Sequence, residues 1–459
     1  MVYIHPKAHD YQARALRFSL QHPESYQALD MGLGKTLIAL MWAKNLGVPV
    51  LVVAPIKPMY NTWPDEIKKW IPDLQYTIIH GPDKARQLRK KADVYLTNFE
   101  SILWLEKELK KIFSETKRLP FRAVVIDEGS MIKSSKTKRF KALKRLRAIF
   151  PQGKMILSAT PSPNSLLELW SQYFFLDGGK RLGAFVTKFQ VTHFRPVDQR
   201  GFIWQIKPGA EEAIYEAIAG ITFRLNADDH IKLPKRIDNF IKLSLPTKVQ
   251  EKYEQLEADF FMELSSGQGL DIFNSASLSM KLRQFVQGAI YIDAERNYER
   301  IHYEKRDALK ELVETSPKPI LCAIQFRFEF DLIREVFPKV PIIYGGVSNK
   351  EAMRLVQAWN KGELPLLLCH PKSISHGMNL QAGSNIILWY GIPWSGEQYS
   401  QLIGRLARQG QKEENVIVHH FIMKKTIDVA IMASQKNKAK GQKGLLDYLY
   451  KYHRGEIND

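Results

Sequence analysis

Leu29-Asp30-Met31-Gly32-Leu33-Gly34-Lys35-Thr36 decides the fold. It lies between the apolar run Tyr26-Gln27-Ala28-Leu29 and the apolar stretch Leu37-Ile38-Ala39-Leu40-Met41. A strand that breaks at two glycines and re-enters as a helix is a turn with which α/β sheets hold anions. Gly32 and Gly34 let backbone N–H groups turn inward, and the helix start adds positive potential. Lys35 suits the β and γ phosphates of ATP, and the Thr36 hydroxyl suits Mg²⁺. Leu29 stands where the phosphate-loop pattern has its first glycine, so a ligand-free strand-to-helix turn is the alternative.

Outward from this loop, short apolar runs alternate with helical stretches in two regions. Residues 50–54, 76–80, 93–97, 123–126 and 155–158 make the first set, and 319–324, 341–344, 366–369, 385–389 and 416–419 the second. Near-continuous apolar strands separated by helices predict parallel sheets covered on both faces. From about Ser165 to Lys310 helical periodicity dominates, with a loop tip at Ser265-Ser266-Gly267-Gln268-Gly269. The expected class is α/β, two parallel-sheet lobes with helical insertions between them. The expected boundaries are 1–235 for the first lobe, with its insertion after about 165, 236–300 for a helical protrusion, and 301–459 for the second lobe with a basic tail. Phe326, Phe328 and Phe330 alternate like the face of a strand or its end.

Two further motifs bear on phosphate chemistry. Val124-Val125-Ile126-Asp127-Glu128 ends a buried strand in two carboxylates, costly there unless a metal or a reaction needs them. Asp127 suits Mg²⁺ held through water. Glu128 suits the orientation of an attacking water and acceptance of its proton. An acidic helix start is the alternative. Near the other end, Gln401-Leu402-Ile403-Gly404-Arg405-Leu406-Ala407-Arg408 spaces two arginines by three, which predicts a shared helix face. From a second lobe they could neutralise charge developing on a transferred phosphoryl group; solvated surface arginines are the alternative.

Lysine plus arginine (67) exceed aspartate plus glutamate (48), leaving +19 and a pI near 9.6. That surplus points to a polyanionic partner, nucleic acid before an anionic membrane, because no apolar run nears the roughly 20 residues of a span. Met1-Val2-Tyr3-Ile4-His5 lacks the pattern of a secretory signal. Cys322 and Cys369 each sit in an apolar run, as reduced core residues do, and a reducing cytoplasm is expected.

Together these motifs resemble helicase superfamily two, more narrowly its Swi/Snf-type ATPases, and most of all the compact members encoded by bacteriophages. The resemblance runs from His9-Asp10-Tyr11-Gln12 to Gln411. It implies two RecA-like lobes that hydrolyse ATP, with Mg²⁺, between them while moving on DNA. It implies that Gln12 reads adenine, that Gly32, Leu33, Gly34, Lys35, Thr36 and Gln401 bind nucleotide, and that Ser158-Ala159-Thr160 couples hydrolysis to lobe movement. Val52-Val53-Ala54-Pro55 with Trp63, Glu66 and Trp70 resembles motif Ia, and Thr97-Asn98-Phe99-Glu100 the next strand end. His376-Gly377-Met378-Asn379-Leu380-Gln381 and Trp394-Ser395 resemble the fifth motif, which places Gly377 and Asn379 near nucleic acid. Gln401, Gly404, Arg405, Arg408, Gly410 and Gln411 match the sixth. The chain departs at Ser130, where many relatives carry histidine.

For the nucleic-acid surface, the run from Lys133 to Arg147 carries Lys133, Lys136, Lys138, Arg139, Lys141, Lys144, Arg145 and Arg147 and no acid. Phe140, Leu143, Leu146 and Phe150 recur within it at helical spacing. A solvated basic face is the alternative to phosphate contact. Lys436, Lys438, Lys440 and Lys443 predict a basic tail. For Arg283 and Gln284, core support outweighs a DNA contact. Nothing identifies a base-reading set, so salt-dependent phosphate tracking on duplex or branched DNA by a monomer is expected. A nucleotide-gated DNA clamp that does not move, and an RNA-dependent helicase, stay open as alternatives.

Overall fold

Uniformly apolar runs cannot leave one face in water, and here they pair side by side. The structure, a computed structural model, describes residues 2–159, 165–196, 204–225, 233–265, 272–374, 378–408 and 410–436, without the side chains of 259–265 and 272–278. Thr160, Gly377 and most of the basic tail lie outside the described residues, as do 266–269 of the expected loop tip. The chain divides into two compact units, Met1–Lys232 and Leu233–Asp459.

Unit 1 holds β1 (Glu24–Leu29), β2 (Val50–Ala54), β3 (Tyr76–Ile78), β4 (Val94–Asn98), β5 (Ala123–Asp127), β6 (Gly153–Ser158), a small antiparallel pair β7 (Phe194–Pro196) and β8 (Trp204–Ile206), and β9 (Thr222–Leu225). Seven of them form one parallel sheet in the order β3-β4-β2-β5-β6-β1-β9. Strands β2 and β4 are buried along their whole length; β2 accordingly reads as an unbroken apolar run, while β4 ends in the buried polar pair Thr97 and Asn98. The helix Lys35–Leu46 is buried from Leu37 to Ala43 and ends at Gly47, whose φ of 61° is the left-handed conformation glycine accepts without strain. Beyond Ser165 the expected helices form (Leu169–Asp177, Val186–His193, Ala210–Ala219), and the chain then returns to the first sheet as β9.

Unit 2 holds β10 (Lys235–Leu243), the hairpin β11 (Ala289–Tyr291) and β12 (Tyr298–Arg300), β13 (Ile320–Ala323), β14 (Ile342–Ile343), β15 (Leu366–Cys369), β16 (Ile386–Trp389) and β17 (Asn415–Met423). Its parallel sheet runs β10-β17-β16-β13-β15-β14. The class is thus two parallel α/β units. The stretch 236–300 differs from its helical reading at both ends, since it closes with the hairpin β11–β12. It opens with β10, an edge strand whose mostly exposed residues carry no apolar periodicity to announce it. Phe326, Phe328 and Phe330 are not on a strand. They open the helix Arg327–Val336, and Phe328 alone of the three is fully buried. Cys322 and Cys369 are free, buried thiols on neighbouring strands, and burial pushes both thiol pKa values up.

Candidate functional site

Three neighbouring strands of unit 1 end together. Ala28 of β1 lies beside Ser158 of β6, and Leu157 of β6 beside Asp127 of β5. Two strand spacings separate the glycine loop from the carboxylates, about 10 Å. Ligands of open parallel sheets bind at such carboxyl ends.

The loop conformation is set from outside the loop. Gly32 and Gly34 have φ of 85° and 72°. Gln12, 5% exposed, donates from Nε2 to the Leu33 carbonyl at 3.1 Å and accepts from the His9 N–H at 2.9 Å. A Cβ at Gly34 would collide with Gln12 Nε2, so both the backbone angle and the packing demand glycine there. Leu33 is fully buried, and its carbonyl is the acceptor through which Gln12 holds the loop. Lys35 Nζ donates to the carbonyls of Leu29 (2.8 Å) and Asp30 (3.0 Å), which lays the ammonium across the loop. No side chain caps the helix that starts at Lys35, so its first N–H groups keep the potential that suits an anion.

At the end of β5, Asp127 Oδ2 accepts from Trp63 Nε1 at 2.8 Å. Glu128 has φ of 76°, a left-handed angle in a non-glycine residue, and its Oε1 accepts from the Ser130 hydroxyl at 2.9 Å. Ser130, at the position where the motif departs from many relatives, therefore still reaches the carboxylate. Gly129 is needed for space, since a Cβ would sit 2.6–2.8 Å from Ile156, Gln172 and Tyr26. The Tyr26 hydroxyl donates to Gln172 Oε1 at 2.7 Å, and burial first, then Tyr173, pushes its pKa well up. Among the described residues no cluster of three or more His, Cys, Asp or Glu could hold a metal. The oxygens of Thr36 and Asp127 instead fit an ion that shares its coordination with phosphate and water, as Mg²⁺ does.

The basic run is only partly open. Phe140, Leu143, Leu146 and Phe150 are buried, and Thr137 caps the helix Lys138–Leu146 by accepting from Phe140 N–H. Lys133 pairs with Glu168 at 3.3 Å, Arg145 with Glu106 at 2.7 Å, and Arg147 with Glu24 at 3.3 Å, while Lys144 lies over the Phe174 ring. Lys136, Lys138, Arg139 and Lys141 have no carboxylate partner among the described residues. The acids that pair with this run come from other elements, so sequence could not show them.

In unit 2 the helix Gly396–Ile403 is capped by Ser395 and carries Gln401, 3% exposed, which donates to Glu397. The helix stops before the arginines. Arg405 and Arg408 lie on the tight turns that follow, where Arg405 N bonds Leu402 O and Arg408 N bonds Leu406 O, so the shared helix face is replaced by irregular backbone. Gln411 braces these turns by donating to the carbonyls of Ser384 and Leu406. Arg408 Nη1 donates to Asn379 Oδ1 at 2.6 Å, and Asn360 holds the Asn379 carbonyl. Asn379 is thus tied to the sixth-motif arginine here. Arg283 and Gln284 are buried, and Arg283 lies over Phe326 and Trp394, a supporting position.

Trp63, read only with motif Ia, Ser130, read only as the departing position, and Tyr26, read only in the run before the loop, all make contacts at this site. For Trp63 the signal was topological: β2 neighbours β5, which brings the helix Thr62–Trp70 that follows β2 near the end of β5.

Comparison with known proteins places the chain in a family. The profile of the SNF2-related domain matches residues 11–288, and that of the helicase conserved C-terminal domain matches 304–410. Putative protein p41 of Acyrthosiphon pisum secondary endosymbiont phage 1 is 33% identical over 91% of this chain and 93% of its own length. The putative ATP-dependent helicase/translocase YwqA of Bacillus subtilis is 28% identical over 89% of this chain, which spans 45% of that longer protein. A solved structure, the Sulfolobus solfataricus SWI2/SNF2 ATPase core in complex with dsDNA, is 22% identical over 95% of this chain and 92% of that one, with a TM-score of 0.44. The chain belongs to the SNF2-related family, the Swi/Snf-type ATPases of helicase superfamily two.

Proposed function

We propose that the chain is an ATP-driven DNA translocase or helicase. The observation that carries this reading is the joint ending of β1, β6 and β5, with a braced glycine loop, Ser158 and a carboxylate pair side by side. Lys35 binds the β and γ phosphates, and Gln12 contacts adenine through the hydrogen-bonding capacity its protein partners leave. Thr36 and Asp127 would hold Mg²⁺, which when bound supplies charge neutralisation on the phosphate oxygens. Glu128 orients a water whose oxygen bonds to the γ phosphorus as the bond to the bridging oxygen breaks, and it accepts the water proton. Arg405 and Arg408 act from unit 2, in the closed state of the cycle, on charge that develops in the transition state. Ser158 and Thr160 couple hydrolysis to lobe movement.

Lys136 and Lys138, with Arg139 and Lys141 beside them, meet DNA phosphates, and Gly377 and Asn379 contribute from unit 2. Lys133 contributes less, because Glu168 already holds it. Net stepping follows if affinity for DNA differs between nucleotide states. The description of the Bacillus relative as a helicase/translocase supports this reading.

The test is ATP hydrolysis with single-stranded, duplex, forked and branched DNA and with RNA, unwinding being scored in parallel. Stimulation that grows with DNA length marks a motor, and length-independent stimulation marks a clamp. Lys35→Ala should abolish stimulated hydrolysis; a variant that keeps it would place the site elsewhere.

A further inference from the structure

A cavity of about 720 Å³ opens in unit 1 where Phe121 and Arg122 lead into β5. It therefore lies at the amino-terminal edge of the sheet, while Asp127 closes the same strand at the other end, on the order of 15 Å away. The floor is apolar, built from Leu109, Phe121 and Ile149, and Phe113, 50% exposed, stands at the mouth. Around it are Lys110, Lys117, Arg118, Arg122 and Arg145. The acid in the lining, Glu106, is already held by two bonds from Arg145 and by Lys110, and the Arg145 bond first among them keeps its carboxyl below the usual range. Lys117, Arg118 and Arg122 are exposed and have no carboxylate partner among the described residues.

We propose that this cavity docks an acidic peptide segment of a partner protein, one carrying an apolar or aromatic side chain beside its carboxylates. An exposed aromatic over an apolar floor wants an apolar side chain, and the cationic rim wants carboxylates flanking it. Its volume lies within the range of ordinary ligand pockets, about 300–1,000 Å³. A nucleic-acid backbone would satisfy the rim but leave the floor uncovered. A second copy of a chain with net charge +19 would meet repulsion. The proposal is independent of the nucleotide site.

The probe is a fluorescein-labelled Asp-Asp-Asp-Asp-Leu-Phe peptide, titrated with the full chain at low salt and followed by anisotropy. The expected result is saturable, salt-sensitive binding that weakens about tenfold with Arg118→Glu, with Phe113→Ala, and when serines replace the two apolar residues of the peptide. Both variants alter exposed side chains and should melt as the parent does. Absence of saturation up to millimolar protein, or binding indifferent to both variants, overturns the proposal. So does an oligothymidine whose affinity falls with the two variants as much as the peptide's, because the occupant is then nucleic acid.

Discussion

Gly34→Ala tests whether the nucleotide loop is held as the geometry says. The backbone at position 34 has φ of 72°, where an L side chain costs about 1–2 kcal/mol. The new methyl also meets Gln12 Nε2, which must move away and give up its bond to the Leu33 carbonyl, about 1 kcal/mol more. The sum is about 2–3 kcal/mol. In the absence of ligand the loop can shed this strain by leaving its left-handed conformation, so most of the cost falls on binding. At about 1.4 kcal/mol per tenfold, nucleotide affinity falls roughly 30- to 100-fold. Fluorescent-nucleotide titration reads the loss directly, and melting without ligand reads the part that stays in the fold. Gln12→Ala supplies the decisive control. It removes the collision, so Gly34→Ala should cost less in that background than in the parent. Strictly additive losses would show that Gln12 and Gly34 do not share a contact and would refute the reasoning.

Asn379→Ala removes the acceptor that holds Arg408; if that bond restrains the arginine from the nucleotide, hydrolysis without DNA should rise severalfold, and an unchanged basal rate would show that the bond restrains nothing. Glu329 is fully buried and burial raises its pKa from 4.5 to about 7, so its contribution to stability is full below 4.5 and is lost as pH rises through 7, by about 3 kcal/mol in all. Glu329→Gln keeps the shape without the charge, so the variant should gain on the parent between pH 5 and pH 8 in denaturant melts, and parallel profiles would contradict this. Lys138→Gln removes one exposed cation of the basic face, so the slope of log K against log salt for duplex DNA should become shallower by about 0.9, and an unaltered slope excludes a phosphate contact there.

What the sequence made legible follows the range of the interactions involved. The loop of residues 29–36 could be read because its glycines, its lysine and the strand and helix beside it are contiguous. Buried parallel strands could be read because each carries a run of apolar residues, whereas the exposed edge strand β10 carries no such signature. Contacts that cross the sheet could not. Nothing near Asp127 in sequence announces Trp63, and nothing within the basic run reveals that Glu24, Glu106 and Glu168 partner three of its cations. The arginine pair shows the limit of periodicity: a spacing of three suggested one helix face, but the helix ends at Ile403 and the turns beyond it set where each guanidinium points.

On the proposed reading Lys35 and Arg408 both meet the nucleotide, and the bonds they make bear on how binding would be converted into movement. Among the contacts they make, Lys35 donates to the carbonyls of Leu29 and Asp30, and Arg408 to the amide oxygen of Asn379. These acceptors carry no net charge, so a phosphate, which adds Coulomb attraction to the hydrogen bond, can compete for the same N–H groups. For Lys35 the exchange frees the carbonyls of Leu29 and Asp30, which belong to the strand end that leads into the loop. For Arg408 it frees the side chain of Asn379, a residue that on the proposed reading meets DNA. An arginine cannot donate through the same N–H to both the amide and the transferred phosphoryl group, so nucleotide chemistry and the freedom of a DNA-contacting side chain become linked through one hydrogen bond. An exposed bond of this kind contributes on the order of 1 kcal/mol, which changes DNA affinity by roughly fivefold between nucleotide states.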